Sequence, residues 1–576
     1  MRMQKRFFEE MAHYKKLTTL LRHLTDISAF IGLAIFVGGG LYFRDHFNGS
    51  IIVFRISEFG FYFIPMALMG LFAPEELRKT KIHRIATAAY RKLLTLDKRE
   101  QRITLAIVLG TLFLFHLAGV IQKHLSFRTE SDLAIYANAC ANYLFSSFKG
   151  DQTLLADHFE PMLILFSPLC SRLDPAITLL AIQTIFWLIG AIGIYRLARD
   201  HRWSFPTALA MSALYMLFTG NATTMYYDFH LIALAIGVLP WLIWAWKRDY
   251  HAVFFVLAIF YAGLKENTSL TLAGLGILLL FERKYIRGSI LAVAAPAAFV
   301  TIMLVVFPCA TGGDGTFYFG KYYNHIGTDF GGFVHTFLTR PFFVISSALS
   351  VQKILYLFYI FIPFAFVHFL RQSYILPILP ALTLNVLSCI YTTYSRDFHY
   401  EAEIFPYLFA TAIILAKDRR AVMRWNALRH LLSHLTGALA RSFVPGPRAL
   451  VLLMLFLFFS GQTPAFHFTA NRPEKFHAHL KTSLRELVKP TDRVAAIEKV
   501  VSHLSHVRHV YFLDEWKRAE KIVIAYPHFR LWKFSHEEIE HRIIAEIEKE
   551  YTISFKDSKY PLLKIYKRTQ KSPAGR

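Results

Sequence analysis

Short clusters of ionisable side chains recur beside the apolar segments of this chain, and their residue types suit proton transfer and phosphate binding. They are Glu130/Asp132, Asp157/His158/Glu160, Asp228/His230, Lys265/Glu266, Lys321/His325/Asp329 and Arg396/Asp397/His399/Tyr400/Glu401/Glu403. A carboxylate can remove a proton from an attacking hydroxyl group, and a lysine, arginine or histidine can neutralise a phosphate. Ionisable groups at membrane depth are costly and usually face a cavity or one another. Each cluster is therefore a candidate for function.

Each cluster also has a purely structural interpretation that the sequence leaves open. Asp132 could cap a helix that begins at Leu133, because aspartate is a favourable N-cap residue. His158/Glu160 and residues 399–403 could lie in solvated loops. Asp228/His230 could be neighbours of an aromatic belt that contains Tyr226 and Tyr227. Lys265/Glu266 could form a local ion pair.

The composition places these clusters in an integral membrane protein. The 576 residues are 55% hydrophobic and 18% charged, with a mean hydropathy of +0.37, whereas soluble domains carry about 25% charged residues. Uncharged apolar stretches approach the ~20 residues that cross a ~30 Å hydrocarbon core as a helix, so the spans are helical. The net charge of +24 is explained by lysines and arginines retained in the cytoplasm, without any need for a nucleic-acid partner. The sequence contains no Walker loop and no GxGxxG motif, so nothing in it indicates a nucleotide-driven pump.

Basic residues near span ends set the topology, because they stay on the cytoplasmic side. A basic N-terminus and a basic loop that ends at Arg102 are inside, and no cleavable signal peptide is expected. The predicted spans lie near 25–43, 57–73, 103–120, 161–197, 204–219, 230–246, 252–264, 268–281, 289–307, 343–370, 374–391, 403–416 and 449–460. The segment 161–197 is interrupted at CSRLDP, which predicts a short re-entrant or interfacial helix followed by a true span. The total is about 13 spans, and every ionisable cluster falls on the outer side.

We therefore predict an all-α polytopic membrane bundle followed by a small soluble α/β domain. The divisions are 1–102 for a basic segment with two extra helices, 103–460 for the main transmembrane domain with a large outer loop at 121–160, and 461–576 for an extracytoplasmic α/β domain. The tail contains RVAAIE, HVYFLDE, KIVIAYP and YTISF as strand-like stretches and HEEIEHRIIAEIEKE as an amphipathic helix. Cys140 and Cys309 could form a disulfide between outer loops, with buried free thiols as the commoner alternative.

Several of the polar motifs occur in a fixed order over most of residues 105–570. They are DLAIYAN at 132–138, HFEP at 158–161, DFH at 228–230, KEN at 265–267 and FHYEAEIFPYLFATAI at 398–413. Together they resemble D-L-G-I-F-D-Q, H-F-S-P, D-F-H, K-E-D and H-Y-x-A-x-I-x-P-F-L-F of a family of predicted bacterial multi-pass membrane proteins. That family is domain of unknown function two thousand and seventy-nine, placed in the GT-C glycosyltransferase superfamily. Ala137 stands where the second aspartate of the first motif would be.

The resemblance implies a GT-C-like membrane glycosyltransferase that passes a sugar from a polyprenyl-phosphate donor to an extracytoplasmic glycan, lipid or protein acceptor. Asp132 would be the catalytic base, with Glu130 as a second catalytic candidate. The predicted substrate-binding residues are His158, Glu160, Asp228, His230, Lys265, Glu266, Arg396, His399 and Tyr400. Asp132 and Glu160 are also candidate ligands of a divalent cation such as Mg²⁺ or Mn²⁺, which prefers carboxylate oxygens. The absence of a carboxylate at 137 argues against a paired-carboxylate mechanism.

Two other functions could use the same polar clusters at the outer ends of the spans. A transporter or flippase for a lipid or polyanion would release its substrate unchanged, and a GT-C-like assembly protein would have lost catalysis. The sequence predicts few acids or histidines at the inner span ends, which disfavours a polar path to the cytoplasm. The expected location is the bacterial cytoplasmic (inner) membrane, with the N-terminus inside and the C-terminal domain outside.

Overall fold

The computed structural model describes residues 19, 22–24, 26–27, 78–129, 131–144, 153–312, 317–364, 366–395, 398–436, 473–525, 537–558 and 563–569. Over these residues the protein is mostly helical, with a small five-stranded sheet near its C-terminal end. Apart from residues 26–27, the predicted spans near 25–43, 57–73 and 449–460 lie outside the described residues, as do Glu130 and Arg396.

Twenty α-helices precede the sheet domain in the described part of the chain. They are α1 (Lys81–Leu94), α2 (Lys98–Leu125), α3 (Ser131–Ala141), α4 (Leu154–Asp157), α5 (Ser167–Cys170), α6 (Pro175–Asp200), α7 (Phe205–Leu217), α8 (Thr219–Tyr227), α9 (Ala235–Lys247), α10 (His251–Ala262), α11 (Thr268–Phe281), α12 (Tyr285–Thr301), α13 (Phe307–Thr311), α14 (Phe317–Tyr322), α15 (Phe330–Thr339), α16 (Pro341–Ser347), α17 (Val351–Phe361), α18 (Leu379–Leu387), α19 (Ile404–Leu415) and α20 (Arg419–Thr436). Tighter 3₁₀ turns cover Pro161–Phe166, Leu231–Leu234, Ile362–Phe364, Val367–Ile375 and Tyr391–Tyr394, and a π-helical turn covers Ile302–Val306.

Three helical segments are long and apolar enough to cross a membrane: α2, α6 and the continuous Tyr285–Thr311. Pro341–Ser347 and Val351–Phe364 would make a fourth span, bent by 75°. The shorter apolar helices have 10–17 residues, which at ~1.5 Å per residue is at most ~25 Å of the ~30 Å required. The described residues thus show three or four full-length spans, and the total of about 13 stays a prediction.

The predicted break at CSRLDP is confirmed. The short apolar segment Pro161–Cys170 ends there, and α6 begins at Pro175. Asp174 is the N-cap of α6, and its carboxylate accepts a hydrogen bond from the backbone N–H of Ile177. An aspartate N-cap followed by proline at the first helical position fixes the start of a helix, because proline lacks the N–H that has no intrahelical partner there.

The long helix α6 packs closely against α9 through glycines. A Cβ atom at Gly237 would lie 2.6 Å from the carbonyl oxygen of Phe186, and one at Gly190 would overlap the carbonyl oxygen of Ile236. Small residues at such crossings let two backbones approach, which is how membrane helices gain packing contacts without a hydrophobic driving force.

Helices α9 to α12 run as hairpins, so their ends alternate between two sides of the bundle. On the side of the basic turns, acids are present and paired: Arg248 with Asp200 at 2.7 Å, Lys284 with Asp249 at 2.8 Å and Arg371 with Glu282 at 2.6 Å. The prediction that these ends carry few acids is therefore wrong. Each of these acids sits in a closed ion pair at the end of an apolar helix.

The C-terminal domain begins in the described residues with α21 (Lys475–Leu487). Its further elements are β1 (Arg493–Ala496), α22 (Glu498–Val501), a 3₁₀ turn at Ser502–Leu504, β2 (His509–Phe512), a 3₁₀ segment at Leu513–Arg518, β3 (Lys521–Ala525), α23 (Glu537–Glu550), β4 (Tyr551–Lys556) and β5 (Leu563–Arg568). The strand order is β2-β1-β3-β5-β4, parallel for the first three strands and antiparallel from β3 to β4. The strand-like stretches of the sequence are β1 to β4, and the amphipathic stretch contains α23.

The C-terminal domain packs directly on the bundle beside α3. Asp174 forms ion pairs with Lys481 at 3.2 Å and with Arg485 at 2.9 Å. The amide of Asn138, near the end of α3, donates to the backbone carbonyl of Val507 at 2.9 Å. These contacts fix the helix that carries Asp132 against the sheet domain.

Three further contacts with the C-terminal domain lie just before α3, one between hydroxyl groups and two between rings. The hydroxyl groups of Thr129 and Ser502 are 3.1 Å apart. The His503 ring stacks on Phe127 with centroids 3.6 Å apart and on His124 with centroids 4.1 Å apart. The domain interface therefore extends along the whole approach to α3.

The cysteines follow the commoner of the two alternatives that the sequence leaves open. All four are free in the structure: Cys140 is buried against Cys170, and Cys309 is exposed on α13. The possible Cys140–Cys309 disulfide is not formed, because the chain folds back after the outer loop and places the re-entrant segment beside α3.

Candidate functional site

A cavity of about 500 Å³ opens among the polar ends of the helices. Its wall includes seven of the predicted site residues, namely Asp132, His158, His230, Lys265, Glu266, His399 and Tyr400. Lys321 also lines it, whereas Glu160 and Asp228 are buried behind the wall. A smaller cavity of about 310 Å³, between α6 and the C-terminal domain, contains none of the predicted site residues.

Asp132 stands in the first turn of α3 with its side chain one-third exposed to the cavity. Its carboxylate oxygen Oδ2 lies 3.2 Å from Nε2 of His230. The carboxylate of Asp228, from a distant segment, accepts the backbone N–H of Leu133 at 3.0 Å. Asp228 thus satisfies an amide at the start of α3, which leaves the Asp132 carboxylate directed at His230 and the cavity.

A buried glutamine in the middle of α6 holds the loop that carries Asp228 and His230. The Nε2 of Gln183 donates to the carbonyls of Met225 at 3.0 Å and Asp228 at 3.2 Å, and its Oε1 accepts the N–H of His230 at 3.4 Å. The sequence analysis missed this residue. An amide inside a long apolar span was the available signal, because polar groups there need partners.

His230 and His399 form a stacked pair above Asp132, with ring centroids 3.5 Å apart. Tyr227 lies beside both rings, and Tyr400 stacks on His399 at 4.5 Å. Burial lowers the pKa of His230 despite the nearby Asp132 carboxylate, and burial is also the largest cause of the lowered pKa of His399. Both rings are therefore neutral near pH 7, and His230 can donate its Nε2 proton to Asp132.

His158 and Glu266 form an ion pair across the cavity wall. Glu266 accepts from Nδ1 of His158 and from the backbone N–H of Phe159, both at 3.1 Å. Burial opposes the charged states, but each partner stabilises the other, so the pKa of His158 is raised and that of Glu266 is lowered. The imidazolium and carboxylate thus persist together near neutral pH.

Lys265 occupies the turn between α10 and α11, half-buried in the cavity wall. Within the described residues, its ammonium group has no hydrogen bond and no ion pair. The expected local pair with Glu266 is not formed, because Glu266 is taken by His158. Burial opposes its charge, yet Glu266 and Glu160 raise the pKa of Lys265, so Lys265 presents a cation to the cavity.

Glu403 anchors the same turn from the start of α19. It accepts three hydrogen bonds of 2.7 Å, from the Tyr261 hydroxyl, the Asn267 amide and the Thr271 hydroxyl. The KEN motif is thereby tied to the HYEAE motif through one buried carboxylate. These hydrogen bonds to Glu403 hold the turn that carries Lys265.

Glu160 is fully buried behind Tyr136, whose hydroxyl donates to Oε1 at 2.9 Å. In the described part of the chain, the second oxygen, Oε2, has no hydrogen-bond partner. Burial raises the pKa of Glu160 from 4.5 to about 7. Tyr136 lines the cavity and lies edge-on to His230 with centroids 5.6 Å apart, so the hydrogen bond from Tyr136 connects buried Glu160 to the cavity wall.

Position 137 lies on a different face of α3 from Asp132. Ala137 is completely buried, whereas Ile135 and Tyr136 share the cavity wall with Asp132. Helical periodicity places residues three and four positions on, not five, on the same face. The missing carboxylate at 137 therefore removes nothing from the cavity wall of this protein.

The described donors do not fit a divalent-cation site. Among these residues, no group of three or more histidine, cysteine, aspartate or glutamate side chains is placed to hold a metal ion. The Asp132 carboxylate is engaged with His230, and Glu160 lies behind Tyr136. We therefore derive no step through a bound cation.

Comparison with known proteins defines the family. The sequence model of the family described as "Predicted membrane protein (DUF2079)" matches residues 93–560. The chain belongs to this family. The DUF2079 match covers the bundle and most of the C-terminal domain, so the cavity lies within it. Among curated proteins, none matches the chain.

Solved structures similar to this DUF2079 protein include two structures of ArnT and one of an oligosaccharyltransferase. ArnT from Cupriavidus metallidurans bound to undecaprenyl phosphate is 13% identical, with a TM-score of 0.39, over 80% of this chain and 98% of that chain. ArnT in the apo state is 12% identical, with a TM-score of 0.40, over 79% and 97%. The oligosaccharyltransferase of Archaeoglobus fulgidus in the apo form is 13% identical, with a TM-score of 0.35, over 71% and 64%. At these scores the likenesses carry no argument about activity.

Proposed function

We propose that this protein is a GT-C-type glycosyltransferase that moves a sugar from a polyprenyl-phosphate donor to an acceptor hydroxyl outside the cytoplasm. The observation that carries the proposal is the cavity itself. It brings a partly exposed carboxylate, Asp132, together with the ammonium group of Lys265, which forms no ion pair with any residue that the structure describes. A base and a phosphate-binding cation in one cavity are the two groups that this transfer requires.

In the proposed reaction, Asp132 accepts the proton of the acceptor hydroxyl as that oxygen bonds to the anomeric carbon of the sugar. The bond from the anomeric carbon to the phosphate oxygen breaks, and its electron pair stays on the lipid phosphate. Attack from the face opposite the leaving group inverts the anomeric configuration. Lys265 neutralises the phosphate charge that develops, and His230 orients the Asp132 carboxylate through its Nε2–H.

The apolar part of the cavity wall suits the lipid carrier. Phe299 and Met303 line the cavity from the long apolar segment Tyr285–Thr311, of which little is buried within the protein. A prenyl chain lying along this segment would bring its phosphate to Lys265 from the surrounding lipid. We place the site on the outer face of the bacterial inner membrane, because basic turns end the same helices on the other side.

The test uses full-length protein in liposomes with undecaprenyl-phosphate sugars carrying a radiolabel and with candidate lipid or glycan acceptors. Wild type is expected to release the lipid phosphate and to label the acceptor. Asp132→Asn keeps the side-chain shape and is expected to lower the rate by at least about a hundredfold, while Asp514→Asn, an exposed aspartate in the C-terminal domain, leaves it unchanged.

The result separates this function from its rivals. A transporter or flippase would move the labelled lipid between leaflets with its sugar still attached, and an assembly protein would do neither. Full transfer activity in Asp132→Asn would refute the assignment of the base.

A further inference from the structure

Two thiols face each other behind the cavity. The sulfur atoms of Cys140, in α3, and Cys170, the last residue of α5, are 2.6 Å apart although the residues are 30 positions apart in the chain. A disulfide bond places its sulfurs ~2.0 Å apart, whereas even unbonded carbon atoms settle at ~3.5–4.0 Å. The observed separation is too short for an ordinary contact between two free thiols.

The surroundings favour a bonded pair over two reactive thiols. Cys140 is completely buried and Cys170 is 1% exposed. Among the described residues, the Cys140 sulfur also makes hydrogen-bond contacts with the carbonyl of Leu163 at 3.8 Å and the hydroxyl of Ser167 at 4.0 Å. Neither group is a cation that would activate a thiolate for catalysis, so a structural role fits this pair.

We propose that Cys140 and Cys170 form a disulfide bond in the mature protein. The bond would fasten the helix that carries Asp132 to the re-entrant segment that follows Glu160. Both segments lie on the outer side of the topology set by the basic turns, where disulfides form and persist. The bond does not depend on sugar transfer, so it can be present or absent whatever the proposed function.

The chemistry is thiol–disulfide exchange with an oxidising protein disulfide of the outer compartment. One cysteine thiolate attacks the oxidant's disulfide and forms a mixed disulfide, and the second thiolate then displaces the oxidant. One S–S bond forms in this protein and the S–S bond of the oxidant breaks. The protons of Cys140 and Cys170 pass to the sulfurs of the oxidant, which leaves as two thiols. Exchange takes place while the chain folds, before the two side chains are buried.

The test is differential alkylation of the full-length protein, expressed with its membrane insertion intact. Cells are denatured directly into N-ethylmaleimide, and the protein is then reduced and treated with iodoacetamide before peptide mass spectrometry. We expect Cys140 and Cys170 to carry the iodoacetamide label and Cys309 and Cys389 to carry N-ethylmaleimide. A non-reduced digest should contain one linked peptide pair that disappears on reduction.

Matched variants define the pair. Cys140→Ser should transfer Cys170 to the N-ethylmaleimide fraction, whereas Cys309→Ser should leave the labels of Cys140 and Cys170 unchanged. N-ethylmaleimide on most of the Cys140 and Cys170 of the wild type would overturn the proposal, as would a linked peptide that pairs either residue with Cys309 or Cys389.

Discussion

The buried carboxyl group of Glu160 makes a measurable prediction about pH and stability. Burial raises its pKa from 4.5 to about 7, so between these pH values the folded protein binds more protons at this site than the unfolded chain. Stability therefore falls as the pH rises through this interval. Glu160→Gln removes the titration but retains an oxygen to accept from Tyr136. The unfolding free energy of the variant minus that of wild type should therefore be about 2.5 kcal/mol larger at pH ~8 than at pH ~5.

The assay is denaturation of purified wild type and variant in mixed detergent micelles at both pH values, read as the difference in unfolding free energy. Glu548→Gln is the matched control. Glu548 also accepts a hydrogen bond from a tyrosine hydroxyl, that of Tyr566 at 3.0 Å, but it is exposed in the C-terminal domain. Its substitution should give the same difference at both pH values. A pH-independent difference for Glu160→Gln would refute the reasoning, because burial would then not hold the proton.

Three other substitutions test the parts of the site. Lys265→Gln should lower kcat/KM for the lipid-linked sugar by about tenfold or more, since the cation facing the cavity is lost, while exposed Lys475→Gln in the same transfer assay leaves it unchanged. Gln183→Leu should lower the unfolding free energy by about 1–3 kcal/mol in micelle denaturation, because the carbonyls that it satisfies lose their partner; equal stability would show that water replaces the amide. Gly237→Ala should lower the unfolding free energy by about 1–3 kcal/mol through overpacking. Gly110→Ala, which has open space around its Cβ, should not destabilise the protein. Equal melting temperatures for the two variants would contradict the close helix crossing.

The sequence predicted where the polar side chains meet because two independent patterns agree. Lysines and arginines are concentrated at one end of each hairpin, and the DFH, KEN and HYEAE motifs lie at the other. Asp132, His230, Lys265 and His399 come from four distant segments, and the structure places all four in one cavity wall. The strand-like stretches of the tail were also recognisable, since their apolar runs are short and bounded by polar turns.

Which side chains pair with one another could not be predicted from the sequence. Glu266 follows Lys265 in the chain but pairs with His158, which lies 108 residues earlier. Cys140 has three other cysteines available, and only the fold selects Cys170. Gln183 belongs to no motif, and its role depends on the loop after α8 passing beside the middle of α6.

The seating of the sheet domain on α3 has a consequence for protein engineering. Thr129, Asn138 and Asp174 each contact a residue of the tail, so the tail and the segments around α3 are held together. A chimaera that takes its last hundred residues from a distant relative must bring the relative's α3 with it. Grafting the tail alone would remove the native tail contacts that hold α3, the helix of the proposed proton acceptor.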